Sequence, residues 1–157
     1  MERVNYNLLG FNGRLGNGLF QVAATSAYAA RTGREAVFPE WEYFKYFEKE
    51  LKIGEIPNAI RYNEPHFHFS EIPIIEGNVD LNGFFQSNKY WGQDAGFVYN
   101  LFTLKKQYRD MVNRKFLNAC MDYHYNNNWC SDRVCAIHVR RGDYANNEHT
   151  KAYHGLL

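Results

Sequence analysis

Val4-Asn5-Tyr6-Asn7-Leu8-Leu9-Gly10-Phe11-Asn12-Gly13-Arg14-Leu15-Gly16-Asn17-Gly18-Leu19-Phe20-Gln21 opens the chain and sets its class. Val4 to Leu9 reads as a first strand. Gly10, Gly13, Gly16 and Gly18 then let the backbone turn tightly and approach a ligand closely. Gly16 is expected at a positive φ, where a β-branched residue such as Val would damage folding. A helix follows from about Leu19 to Arg31. Its apolar positions Phe20, Ala23, Ala24, Ala27 and Ala30 recur at helical spacing. Gly33 supplies the C-terminal stop. Ala36 to Phe38 reads as the second strand, ended by Pro39.

Further along, Trp41 to Phe69 is aromatic, mixed in charge and broken by Pro57 and Pro65. Short elements and a loop wrapping over the domain are expected there. Val79 to Phe85 reads as a strand, followed by a helical turn through Tyr90 and Trp91. Leu104 to Tyr123 is the clearest helix, with Tyr108, Met111, Val112, Phe116, Ala119, Cys120 and Tyr123 in one apolar stripe. Val134 to Val139 is apolar on both faces, as a central parallel strand is when both sides are covered. Alternating strands and helices predict an α/β fold, a Rossmann-like parallel sheet layered with helices. No internal repeat or interdomain linker is visible, so residues 1–157 read as a single α/β domain.

Composition narrows the function. A chain of 157 residues can bury a proper core. With 45% hydrophobic and 22% charged residues it is globular rather than disordered. A net charge of +1 argues against nucleic acid as an electrostatic partner. The basic run Lys105, Lys106, Arg109, Arg114 and Lys115 reads as a solvated helix face. No apolar run approaches the roughly 20 residues needed to cross a bilayer. Met1 to Asn7 lacks the apolar core of a signal peptide. Cys120, Cys130 and Cys135 are odd in number and match no zinc spacing. Reduced thiols are expected, and with them a cytoplasmic location or one at the cytoplasmic face of the membrane.

Three constellations carry chemistry. In His138-Val139-Arg140-Arg141-Gly142-Asp143, two arginines leave the end of a strand. Ligands of open α/β sheets bind beyond the carboxyl ends of the strands. A guanidinium is a permanently charged planar fork that suits a diphosphate. Placed at a departing diphosphate, it stabilises the growing charge without a metal. Asp143 is suited to hold an arginine in its rotamer, and His138 either touches a nucleotide or is a satisfied core histidine. A surface ion-pair cluster uses the same residue types, so this motif alone leaves both readings open.

The glycine-rich loop from Gly13 to Gln21 places a helix N-terminus, with free N–H groups, beside a turn. It contains neither G-x-G-x-x-G nor a phosphate-loop Gly-Lys-Ser/Thr. Taken by itself it is equally a tight packing turn. Leu81-Asn82-Gly83-Phe84-Phe85-Gln86-Ser87-Asn88-Lys89-Tyr90-Trp91 combines amides with flat apolar rings, the chemistry of a sugar-binding surface and also of ordinary packing. His66-Phe67-His68 puts two imidazoles on one strand face, but without a cysteine or carboxylate pattern it does not read as a metal site.

Together and in this order, the three motifs resemble the α-1,2-fucosyltransferases of glycosyltransferase family 11. Gly13 to Ala23 is similar to the family's Gly-Arg-Leu-Gly-Asn-Gln-Leu-Phe-Gln-Tyr-Ala run, with Gly18 in place of its Gln and Val22 in place of its Tyr. Leu81 to Trp91 is similar to its Leu-x-Gly-Tyr-Phe-Gln-Ser-x-Lys-Tyr-Phe run. His138 to Tyr144 matches its His-Val-Arg-Arg-Gly-Asp-Tyr run without a change.

The resemblance implies the N-terminal part of a GT-B glycosyltransferase. It implies an inverting transfer of fucose from GDP-fucose to a galactose-containing glycan acceptor, in α-1,2 linkage and with no metal or other cofactor. Arg140 and Arg141 would contact the diphosphate, with His138 and Asp143 in support and Gly16 and Asn17 at the cleft. Asp143 and Glu148 are the loop acids nearest to hand as a general base, and Asp143 is already committed to the arginines. Family members continue into a second half that completes the nucleotide pocket. The expectation is therefore a truncated transferase; the alternatives are a non-catalytic sugar-nucleotide or glycan-binding module and a degenerate fragment without a stable fold.

Overall fold

The computed structural model of the chain describes residues 1–92 and 95–127. The chain divides into two compact units, Met1–Val112 and Asn113–Leu157. The first contains a five-stranded, wholly parallel sheet. Its strands are β1 (Arg3–Asn5), β2 (Glu35–Phe38), β3 (Lys52–Ile53), β4 (Ile60–Asn63) and β5 (Val79–Asn82), in the order β3-β2-β1-β5-β4. The helices are α1 (Leu15–Arg31), α2 (Ala95–Phe102) and α3 (Lys106–Asn127). This is the α/β parallel-sheet class expected from the sequence. In the second unit the described residues are the continuation of α3 to Asn127. None of the described helices is long and apolar enough to cross a membrane.

The first strand is shorter than Val4 to Leu9. After Asn5 the chain turns, because local hydrogen bonds take over from the ladder. The amide of Leu9 donates to the Tyr6 carbonyl at 3.2 Å, and that of Phe11 to the Leu8 carbonyl at 3.0 Å. The first helix starts earlier than expected, at Leu15, so Gly16 and Gly18 lie inside it. It ends as the sequence indicates. Gly33 is left-handed (φ 66°), its N–H reaches the Ala30 carbonyl at 3.3 Å, and the Arg34 N–H reaches Ala29 at 2.8 Å. Those two bonds close the helix's free carbonyls in a Schellman turn.

Helix α1 is buried on more than one face. Gln21, Val22, Ala23, Ala24, Thr25, Ser26, Tyr28 and Ala29 are buried, whereas Phe20 and Ala27 are half-buried and Ala30 is exposed. The single-stripe reading fails because chain lies over the helix as well as under it. The segment before β5 crosses its C-terminal half, where the Tyr28 hydroxyl donates to the Pro73 carbonyl at 2.9 Å and Arg31 donates to the Ile72 carbonyl at 2.9 Å. Near the other end, Trp41 packs against Gly18. The core around this helix is Val4, Tyr6, Val22, Tyr28, Phe38, Val79, Leu81 and Phe85.

Gly16 is corrected by its surroundings. It has no positive φ, and a Cβ there would meet nothing within 4 Å. The positive φ values of this turn belong to Gly10 (φ 88°) and Gly13 (φ 99°), and a Cβ at Gly13 would fall 1.9 Å from the Asn17 amide nitrogen. Gly16→Ala is therefore expected to raise stability by about 0.5 kcal/mol through helix propensity. Gly13→Ala is expected to lower it by more than that, because φ and space both oppose a side chain. Urea titrations that gave the two variants the same sign would contradict this assignment.

Strands β3 and β4 are among the short elements expected between Trp41 and Phe69, though the sequence reading places neither as a strand, and helix α2 has no counterpart in it. Residues 54–59 carry the chain from β3 at one edge of the sheet to β4 at the other. The expected stripe of α3 is not core. Met111, Val112 and Phe116 are 43%, 50% and 50% exposed, and Ala119 is exposed. Charged residues interleave with the stripe, so the helix has no continuous apolar seam to bury. Tyr108 does pack, edge-on to Tyr46 at 4.9 Å. The Val134–Val139 strand lies outside the described residues.

Candidate functional site

The carboxyl ends of β1, β5 and β4 bring Asn5, Asn82 and Asn63 to one edge of the sheet. Register fixes this: Asn5 pairs with Asp80, and Asn63 with Asn82. The chain beyond β1 and β5 then folds over that edge as one hydrogen-bonded unit. The Tyr6 hydroxyl donates to the Gly83 carbonyl at 2.5 Å and accepts from the Asn12 amide at 3.0 Å. The Asn12 amide also reaches Asn82 Oδ1 at 3.1 Å, and Asn82 in turn donates to Asn63 Oδ1 at 2.8 Å. Gln21, fully buried in α1, donates to the Asn12 carbonyl at 2.9 Å. Its Oε1 has no protein partner among the described residues.

Two carboxylates hold this edge together. Asp80 is 3% exposed. It accepts from the Asn7 N–H at 3.0 Å and from Arg61 at 2.8 and 2.9 Å. Glu64 follows β4 and reaches across to the turn after β5. Its Oε2 accepts from the backbone N–H of Phe84 at 2.7 Å and of Phe85 at 2.9 Å, and its Oε1 accepts from the Tyr90 hydroxyl at 2.7 Å. That clamp holds Phe85 at φ 51°, a left-handed conformation rare for an aromatic residue.

Three phenols around this network are pushed above the ordinary tyrosine value of 10.0: Tyr6, Tyr62 and Tyr90. Burial is the first cause in each, because it disfavours the charged phenolate. For Tyr90 the hydrogen bond to Glu64 adds to it. The native state thus keeps protons that the unfolded chain releases near pH 10. This stabilisation is complete below that pH and falls as pH rises through and beyond it. Melting temperatures measured from pH 8 to 11 are expected to drop above about pH 10, less steeply in Tyr90→Phe. A flat profile in the unmodified chain would contradict the assignment.

Two of the three sequence motifs meet here. Asn17, in the first turn of α1, accepts from the Gln86 amide at 2.8 Å, and the rings of Phe20 and Trp91 lie 5.5 Å apart. Gly16 is exposed in the same turn and touches neither strand end. The third motif, with His138, Arg140, Arg141 and Asp143, lies outside the described residues, as do Glu148 and the cysteines Cys130 and Cys135.

The sequence reading missed Tyr6, Asn12, Asn63, Glu64 and Asp80. Asn63 and Glu64 carried no local signal, because β4 itself was not recognised. Asp80 offered one, an acidic residue inside an apolar strand, which requires a partner when buried. A cleft of 680 Å³ opens over this edge between the β1–α1 loop and the chain that follows β4.

The sequence profile of glycosyl transferase family 11 matches residues 2–156. The O-antigen biosynthesis glycosyltransferase WbnK of Escherichia coli is 38% identical over an alignment 187 positions long, gaps included, which covers 93% of this chain and 62% of that protein. The chain therefore spans less than two thirds of the length of this relative. No solved structure matches. On the profile match across almost its entire length, the chain belongs to glycosyltransferase family 11.

Proposed function

We propose that the protein transfers fucose from GDP-fucose to a galactoside hydroxyl in α-1,2 linkage, with inversion at the anomeric carbon. The observation that carries this reading is the meeting of two family motifs, Gly13 to Gln21 and Leu81 to Trp91, at the carboxyl edge of a parallel sheet. That edge is where open α/β sheets take ligands. The acceptor oxygen forms the new bond to the anomeric carbon as the bond to the diphosphate breaks. A general base takes the acceptor proton.

Arg140 and Arg141 take the charge that builds on the departing diphosphate, with His138 and Asp143 keeping them in place. Guanidinium groups do this without a metal ion. The relative's role in O-antigen biosynthesis supports a glycan acceptor.

The test is turnover of GDP-fucose with lactose by the purified chain, with the linkage of the product determined by NMR. Formation of an α-1,2-fucosylated product supports the proposal. A different donor or linkage overturns the fucosyl assignment. Nucleotide binding by a folded chain without turnover favours a non-catalytic binding module.

A further inference from the structure

We propose that the cleft at the carboxyl ends of β4 and β5 binds a neutral sugar ring, laid flat against Phe67 and Phe84. Calling that sugar the acceptor rests on the transferase reading above; the sugar site itself does not.

The cleft, 680 Å³ in volume, is within the range of small-molecule pockets. Its floor is the amide chain Asn12–Asn82–Asn63, joined at 3.1 and 2.8 Å. Asn82 and Asn63 keep donors and acceptor lone pairs beyond these bonds, and Asn12, whose two N–H groups go to Tyr6 and Asn82, keeps its carbonyl oxygen as an acceptor for a sugar hydroxyl. Its wall is aromatic. Phe67 is 82% exposed, and its ring stacks on that of Phe84 with centroids 5.9 Å apart and planes 26° apart. His66 and His68 stack beside it at 4.7 Å and 11°. An aromatic ring so exposed costs solvation unless something covers it, and the apolar C–H face of a pyranose is a flat surface of suitable chemistry.

The wall is also held rigid. Glu64 takes both amides of Phe84 and Phe85, and Phe85 is fully buried at its positive φ. Strain of this kind survives only where the surroundings enforce it, and it recurs at ligand sites.

Charge selects the occupant. Among the described residues no lysine or arginine lines the cleft, and a carboxylate, Glu64, does. From these described residues a diphosphate would gain no permanent cation, and it would meet a negative group. A neutral polyol meets neither obstacle.

The experiment is NMR titration of the 15N-labelled full chain with the methyl glycosides of galactose, glucose and N-acetylgalactosamine, and separately with GDP. At least one sugar is expected to shift the amides of Asn63, Gly83 and Phe84. Phe67→Ala should weaken that sugar at least about tenfold and leave the fold unchanged, since the ring is largely in solvent. Asn63→Ala should weaken it as well, and neither variant should change the response to GDP.

The proposal is overturned if none of the three sugars shifts these amides in the folded chain. It is equally overturned if both variants bind the sugar as well as the unmodified chain, or if GDP shifts the same amides and displaces the sugar. Sugar binding that persists without any fucosyl transfer would sink the transferase reading and leave this site standing.

Discussion

Gly18→Ala is expected to destabilise the chain by about 2 kcal/mol, although it places a better helix former inside α1. A Cβ at position 18 would lie 2.4 Å from Cζ2 and 2.8 Å from Cη2 of Trp41. The indole has little room to retreat. It is 7% exposed and meets the rings of Tyr43 and Phe44 edge-on at 5.0 and 5.2 Å. It also borders Gly10, where an added Cβ would come within 3.3 Å of it. Propensity alone would give the opposite sign, a gain of up to about 1 kcal/mol. The steric term wins because overpacking a fixed aromatic ring costs roughly 1–3 kcal/mol in addition to cancelling that gain.

A scanning-calorimetry Tm lowered by about 4–8 °C is the expected reading. Trp41→Ala should reverse the sign of the Gly18 substitution when the two are combined, which a double-mutant cycle measures directly. A Gly18→Ala variant that melts at or above the parent temperature would refute the contact. The same contact explains the departure from the family's Gln at this position: Trp41 occupies the space a longer side chain would need.

Arg140→Ala is expected to weaken GDP binding by about 30- to 100-fold and to leave the circular dichroism spectrum unchanged. The magnitude follows from losing a charged hydrogen bond to phosphate, roughly 2–3 kcal/mol, at about tenfold per 1.4 kcal/mol. Calorimetric titration of GDP into the parent and the variant reads it. Arg140→Lys should recover part of the affinity, since a point charge remains but the planar fork is lost. Two outcomes would remove Arg140 from the nucleotide site. One is an unfolded variant whose remaining folded fraction binds GDP normally. The other is a folded variant with unchanged affinity.

Much of the site was legible from local patterns. The Gly13–Gln21 and Leu81–Trp91 runs stand out in the sequence by their composition, and they meet through Asn17 and Gln86. The residues that tie the two runs together were not. Tyr6 reaches Gly83 across 77 positions of sequence, and Glu64 reaches Phe84 and Phe85 across 20 and 21. Nothing in the sequence around Glu64 distinguishes it from a surface acid, because its role is defined by amides on another strand. Gly16 shows the converse error. A glycine in a glycine-rich run was read as conformationally required, whereas Gly10 and Gly13 hold the positive φ values and Gly18 the close approach.

The sequence by itself determined the alternation of strands and helices, the stop at Gly33, the strand at β2 and the family. These rest on hydrogen bonds and periodicities a few residues long, or on runs of identity. Tertiary structure alone decided that β5 lies beside β1, that β4 closes the edge, and that Trp41 seals Gly18. It alone decided that Met111, Val112 and Phe116 of α3's expected stripe are exposed while α1 is covered on more than one face. Those outcomes depend on which surfaces meet, and so on packing between residues far apart in the chain, where local propensity carries no information.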